Sequence, residues 1–362
     1  MARIVQKFGG TSLADLDCIR NVARRVKIEV DAGHEVAVVV SAMSGATNQL
    51  VDWASDIGAL HDAREYDTVV ATGEQVTVGL LAIALQNIGI DARSWLGWQL
   101  PIRSDNVHGA ARIDEIDGKA ICERLKNGQV AVIAGFQGIS PDGRITTFGR
   151  GGSDTSAVAV AAALEADRCD IYTDVDGVYT TDPRIAPKAT KLSRITFEEM
   201  LEMASSGAKV LQTRSVAMAM RHNVNLQVRS SFNDTTGTLV VNEDSVVEQE
   251  TISGIAYSPD EAKITIIGLP DKPGIAAGVF GALADQQVNV DMIVQSASSA
   301  TKKTDISFSV GRGDLQKAVD IINKLEFDLE FESVDASPNV AKISVVGTAM
   351  RTQPGVAKTM FE

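Results

Sequence analysis

The stretch Thr147–Leu164, TFGRGGSDTSAVAVAAAL, constrains the fold more than any other part of the chain. A short β-rich run enters Gly149-Arg150-Gly151-Gly152, Ser153 and Asp154 follow, and a run dominated by Ala and Val comes next. Glycines supply positive φ and let a backbone approach a ligand. A Ser or Asp caps a helix, and the first-turn N–H groups then face an anion. The order predicts strand, glycine turn and helix, with Ser153 or Asp154 as the cap. Arg150 adds a planar fork that matches a carboxylate or a phosphate. Taken alone, the turn is equally consistent with an ordinary left-handed turn ahead of a buried helix.

The same grammar recurs upstream. Ile4–Phe8 is a strand pattern leading into Gly9-Gly10-Thr11-Ser12, and apolar residues then recur at Leu13, Leu16, Ile19, Val22, Val26 and Val30, the spacing of one helix face. Lys7 stands beside these glycines, which makes the loop a phosphate-cradle candidate; a solvated strand-end lysine is the plainer alternative. The lysine precedes the glycines, so the loop is not a Walker A sequence. Val36–Val40 is wholly apolar, as in a parallel strand covered on both faces, and delivers the chain to a small, hydroxyl-bearing loop containing Ser41 and Thr47. Ligands in open α/β sheets bind at such carboxyl ends, although Ser and Asn are also ordinary capping residues. Glu74 is embedded in the apolar helical pattern Tyr66–Leu85, either as a surface residue or as a carboxylate aimed at an ammonium from a buried wall.

Further along, Ala92–Trp95 and Val130–Phe136 read as strands, with a helix-like stretch Ile113–Leu125 between them and a hairpin Phe136–Phe148 turning at Pro141-Asp142-Gly143. Arg168–Val175 is a strand that runs into the acidic, turn-rich segment Asp174–Arg184. Its D-x-D-G fragment lacks the remaining ligands of an EF-hand, so that reading is excluded. Thr196-Phe197-Glu198-Glu199 has the form of a capping box, Lys209–His222 reads as a helix, and Leu226–Arg229 and Thr238–Val241 as closing strands. The alternation predicts a doubly wound, mainly parallel α/β sheet.

With 362 residues, the chain is long enough for two or three domains. A formal net charge of -13 argues against a nucleic-acid or anionic-membrane surface. Cys18, Cys122 and Cys169 have no zinc or C-x-x-C spacing, and His34, His61, His108 and His222 have no metal or triad spacing, so no metal site is expected from protein ligands. No signal peptide or uninterrupted apolar run of spanning length is evident, and a cytoplasmic location is the expectation. After the acidic connector comes an internal repeat: KITIIG followed by Pro273-Gly274-Ile275-Ala276 and Phe280 matches KISVVG followed by Pro354-Gly355-Val356-Ala357 and Phe361. The first copy continues in β-α-β-β-α order, like half of a ferredoxin-type unit, whereas the second stops just inside its first helix.

Together, KFGGTS, SAMSGATN, TGEQV, AGFQG, FGRGGSD, YTDVDGVYTTDPR, FEEMLEMASSGAKVL and the paired P-G-[IV]-A units resemble the aspartate kinases over essentially the whole chain. The resemblance implies an amino acid kinase fold in residues 1–241, a linker and first regulatory strand in 242–262, an ACT domain in 263–340 and the incomplete start of a second in 341–362. It implies ATP-dependent phosphorylation of L-aspartate to 4-phospho-L-aspartate, the first step of lysine, threonine and methionine biosynthesis, with Mg²⁺ carried mainly on the nucleotide phosphates. By the same resemblance, Lys7, Gly9, Gly10 and Lys209 contact phosphates, and Thr173, Asp174, Tyr179 and Arg184 lie along the nucleotide. Ser41, Thr47, Glu74, Arg150 and Ser153 hold aspartate, with Glu74 at its ammonium and Arg150 at its α-carboxylate, and Asp154 joins Lys7, Arg150 and Lys209 in the catalytic set. Asp271, Gly274, Ile275, Ala276, Asn289, Asp291 and Gln295 match a site for an effector amino acid, lysine or threonine. A homodimer or higher homo-oligomer is implied.

Overall fold

The computed structural model describes residues 1–58, 61–243, 252–298, 303–325, 329–347 and 355–361. They form two compact units, Met1–Gly254 with Val345–Glu362, and Ile255–Ser344.

Strands of the larger unit are β1 (Arg3–Phe8), β2 (Glu35–Val40), β3 (Ala92–Trp95), β4 (Ile102–Ser104), β5 (Ile113–Ile116), β6 (Val130–Ala134), β7 (Gln137–Ile139), β8 (Ile145–Thr147), β9 (Arg168–Thr173), β10 (Arg194–Thr196), β11 (Leu226–Ser230) and β12 (Thr238–Val241). Its main helices are α1 (Leu16–Asp31), α2 (Ala46–Ile57), α3 (Ala63–Val70), α4 (Thr72–Asn87), α5 (Lys119–Lys126), α6 (Gly152–Ala163), α7 (Phe197–Ser205) and α8 (Thr213–His222). Eight strands form one sheet in the order β10-β12-β11-β9-β1-β2-β6-β3. From β11 to β3 every pairing is parallel, and β12 is antiparallel to β11. A second sheet, β5-β4-β7-β8, carries the hairpin predicted between Phe136 and Phe148.

The parallel strands are apolar on both faces because helices cover both. Val38, Val40, Val130 and Val132 pack with Ile19, Val22 and Val26 of α1 and Leu81 and Leu85 of α4, while Val39, Ile133 and Ile171 pack with Val158 and Val160 of α6. Each such side chain, fully buried, contributes about 1.5–3 kcal/mol. The doubly wound architecture is the one predicted. The helical run Ala63–Asn87 is the one long and apolar enough to cross a membrane among the described residues. Here Val70, Val78, Leu81 and Leu85 are buried in the protein core.

Three local expectations are corrected. Ile113–Leu125 is not one helix: Ile113–Ile116 pairs with β4, and the helix begins at Lys119. Its acidic, half-buried start satisfies its backbone in a ladder that sequence periodicity does not reveal. The helix expected from Lys209 starts at Thr213, leaving Lys209 exposed in the preceding turn. Neither Ser153 nor Asp154 caps α6; Gly151 holds the cap position at φ 70 with no side-chain bond, and both residues lie in the first turn. By contrast, the Thr196–Glu199 capping box is present, with each side chain bonded to the other's backbone N–H.

The smaller unit contains β13 (Gly254–Pro270), α9 (Ile275–Asp285), β14 (Val290–Ser298), β15 (Lys303–Gly311), α10 (Leu315–Lys324) and β16 (Ser333–Val346), the outer strands running on to its boundaries. Its sheet order is β14-β15-β13-β16, and Ile264, Ile266, Phe308 and Val310 pack with Val279 and Leu283 of α9 and Ala318 and Ile322 of α10. The strand of the second repeat, Lys342–Val346, is the end of β16. Pro354 and most of the acidic connector lie outside the described residues, and a short helix covers Val356–Phe361.

Gly151 and Gly149 have φ near +70, and a Cβ on Gly151 would lie 2.1 Å from Cγ of Gln212. Gly151→Ala therefore combines strain with overlap and should cost more than about 2 kcal/mol. Gly89→Ala, at φ 83 with open space around it, should cost about 1 kcal/mol in the same thermal and denaturant unfolding measurements.

Candidate active site

Parallel strands bring their carboxyl ends to one edge. There β1 ends at Phe8, β2 at Val40, β6 at Ala134 and β9 at Thr173; the first two hand the chain to loops of small residues, β6 to Gly135, and β9 to the acidic segment from Asp174. Lys7, next to the end of β1, forms a 2.6 Å ion pair with Asp154 in the first turn of α6; both residues are 8% exposed. A carboxylate at that position is favoured by the helix dipole, and the pair offsets the desolvation of each charge. Gly9 makes room for the Lys7 ammonium: a Cβ there would lie 3.3 Å from Nζ. Gly9 N–H donates to Tyr172 O, tying the loop to the end of β9.

The next loop closes on the first. Gly10 lies against the Ala42 carbonyl, and Gly73 lies against the Ala42 side chain, where a Cβ would come within 2.7 Å. The Ala42 amide donates to Oε1 of Glu74 at 2.9 Å, and Oε2 of Glu74 is buried without a hydrogen-bond partner. Glu74 is 3% exposed, and burial pushes its carboxyl up to about 7 against the opposing pull of the Ala42 N–H. Gly135, after β6, allows Ser153 to approach within 3.0 Å of where a Cβ would stand. Lys7, Gly9, Gly10, Ser41, Glu74, Ser153 and Asp154 are thus linked through contacts at one end of the sheet.

The remaining expected residues lie outside this set of contacts. Thr47 lies in the first turn of α2, and Arg150 is exposed at the tip between two left-handed glycines. Lys209 is exposed in the turn whose Gln212 packs against Gly151. Thr173 donates to Asp174 at 2.9 Å, and Tyr179 donates to Asp176, which also pairs with Lys191. Arg184 is engaged by both oxygens of Asp182 within its own loop.

Several supporting residues escaped the sequence reading. Asp67, fully buried, accepts hydrogen bonds from the Thr147 amide and hydroxyl and from the Gly109 amide, and contacts Nδ1 of His108 at 2.8 Å. Gln137 donates to Ala71 O, and Arg214 donates to Phe148 O and Ala111 O. Only Gln137 had a sequence signal, as part of AGFQG.

The family model for the amino acid kinase family matches residues 2–230, and that for the ACT domain matches residues 264–325. The chain is 50% identical over 363 residues to the aspartate kinase of Pseudomonas putida, covering all of this chain and 88% of that protein. The chain belongs to the aspartate kinase family. It is 47% identical to aspartokinase 2 of Bacillus subtilis, again covering 88% of that relative. The crystal structure of E. coli aspartokinase III in complex with aspartate and ADP superposes with a TM-score of 0.81 at 28% identity, covering 99% of this chain and 90% of that one.

In the smaller unit, the residues expected to hold an effector fall into two groups. Val290 pairs with Val310, opposite Ala262, whereas Ser298 pairs with Lys303, opposite Pro270. Ala262 to Pro270 spans about 26 Å at roughly 3.3 Å per residue. Asn289 and Asp291 therefore sit at one end of the sheet, and Asp271, Gly274, Ile275 and Ala276 at the other, with Gln295 between. Asp291 pairs with Lys342 instead. Within one chain the two groups do not meet.

The Glu74 shift fixes the sign of a pH effect. Between pH 4.5 and about 7 the folded chain retains a proton that the unfolded chain releases, so this residue lowers stability as pH rises through that window. Glu74→Gln should flatten the slope and leave the ligand-free protein more stable than wild type at pH 8, but not at pH 4.5, in parallel thermal melts.

Proposed function

We propose that the loops after β1, β2, β6 and β9 transfer the γ-phosphoryl group of ATP to the side-chain carboxylate of L-aspartate, giving 4-phospho-L-aspartate and ADP. The observation that carries this reading is the buried Lys7–Asp154 pair set beside a buried Glu74 with one unpartnered oxygen. Glu74 offers an acceptor to the substrate ammonium, and Arg150 offers its fork to the α-carboxylate. With both α-groups held, the side-chain carboxylate is left as the nucleophile, so no general base is required. It forms a bond to the γ-phosphorus while the bond from phosphorus to the β,γ-bridging oxygen breaks, and the electrons leave on ADP.

Positioning and charge stabilisation supply the catalysis. Asp154 orients the Lys7 ammonium toward the glycine loop, where Gly9 and Gly10 admit phosphate oxygens. Lys209 supplies a second positive charge, and Thr173, Asp174, Tyr179 and Arg184 line the nucleotide side. Ser41, Thr47 and Ser153 supply hydroxyls around aspartate. Among the described residues no group of three His, Cys, Asp or Glu is arranged for a metal ion. Mg²⁺ would be carried mainly on the nucleotide phosphates, where it would neutralise developing charge. The setting is a cytoplasmic biosynthetic enzyme.

For regulation, we infer that the effector amino acid binds between two copies of the smaller unit. The Asp271–Ala276 turn of one copy would complete the Asn289, Asp291 and Gln295 edge of the other. The separation of these groups within one chain supports this reading. β14 is an edge strand with exposed Met292, Ile293 and Val294, which favours a homodimer.

ADP release should require both ATP and aspartate, and hydroxylamine should trap the acyl phosphate as a hydroxamate; product from glutamate but not aspartate would reject the assignment. Arg150→Ala should raise the apparent KM for aspartate at least tenfold while changing that for ATP less than twofold.

A further inference from the structure

The most constrained group outside the reacting set is the Asp67 carboxylate. It is completely buried, takes three hydrogen bonds from backbone and hydroxyl donors, and among the described residues has His108 as its one basic contact. A carboxylate is costly to bury, and here the donors compensating it come from two separate segments. Thr147 closes β8, three residues before Arg150. Gly109 belongs to the loop beneath the glycine turn, and its carbonyl lies 3.1 Å from where a Cβ on Gly149 would stand. Asp67 thus fastens the strand end that leads into the turn presenting Arg150, together with the Gly109 loop packed against Gly149 at the start of that turn.

The same helix face leads to the other end of the substrate. Asp67 and Ala71 are one turn apart at α3, and Ala71 O accepts from Gln137 at 3.0 Å. Gln137 and Thr147 are cross-strand partners in the β7–β8 hairpin. The hairpin therefore grips α3 at two points: Thr147 on Asp67 and Gln137 on Ala71. Ala71 immediately precedes α4, whose first turn carries Glu74.

We propose that Asp67 is a positioning residue for aspartate, acting with Thr147 and Gln137 as a strut that sets the separation between Glu74 and Arg150. The strut reads the ammonium-to-carboxylate spacing of an α-amino acid and does not touch the phosphates. This inference rests on the roles of Glu74 and Arg150 given above.

Asp67→Asn keeps the shape but places an NH₂ among donors. It should raise the apparent KM for aspartate about tenfold, with kcat and the KM for ATP within twofold of wild type. Thr147→Val, which removes only the hydroxyl, should give a smaller rise of about threefold, and Thr147→Ser should restore the wild-type value. In the pair Asp67→Asn with Arg150→Ala, the two effects on aspartate KM should be less than multiplicative, because one acts through the other. If Arg150→Ala raises aspartate KM while Asp67→Asn and Thr147→Val do not, the strut is rejected and the reading of the site stands. If Arg150→Ala itself leaves aspartate KM unchanged, that reading fails first. Equal changes in both substrates' KM with a lowered Tm in Asp67→Asn and Thr147→Val would reject the strut in favour of a purely structural role. Should Asp67→Asn fail to fold, the Thr147 pair decides between these outcomes.

Discussion

The ion pair between Lys7 and Asp154 joins the central strand of the sheet to the first turn of α6, and the neighbouring loops are arranged around it. An ammonium at 8% exposure needs a counter-charge, and the first turn of a helix is where a carboxylate is favoured. Meeting that need places the glycine loop after β1, the Ala42 loop after β2 and the start of α6 at one end of the parallel sheet. Gly9, Gly10, Gly73 and Gly135 are small because these backbones approach one another closely, and a Cβ at Gly73 or Gly135 would meet a neighbour at 2.7 to 2.9 Å.

Around this centre, stability is exchanged for readiness. Burial pushes Glu74 up toward neutrality and leaves one of its oxygens without a partner, a cost that a bound ammonium would relieve. Asp67 is the opposite case, a buried carboxylate whose acceptors are filled by Thr147, Gly109 and His108. One carboxylate is satisfied by the protein; the other keeps an open acceptor. The exposed Arg150 sits between two left-handed glycines, three residues after the strand end that Asp67 holds at Thr147.

The smaller unit follows a different rule. Its core is closed by α9 and α10 on one face, and its strand register separates the residues of the proposed effector site. Asp291 and the Gly274 turn are close in sequence, yet they lie at opposite ends of the sheet because β14 runs antiparallel to β15, which runs antiparallel to β13. A site using both groups is naturally an intermolecular one.

The sequence by itself determined the alternation of apolar strands, glycine loops and helices, and with it the doubly wound sheet, the capping box at Thr196 and the family. These signals are local: periodicity, turn chemistry and motif order are written in neighbouring residues. Ile113–Ile116 resisted such reading because its strand exists only by pairing with β4, and the helix expected from Lys209 starts only at Thr213 because Gln212, at its cap, is extended. Only the tertiary structure decided that Lys7 meets Asp154, that Glu74 takes the Ala42 amide, and that Asp67 holds Thr147 across 80 residues of chain. Partners that distant leave no periodic trace. They are chosen by the desolvation cost of a buried charge, which can be evaluated only once the chain has folded around it.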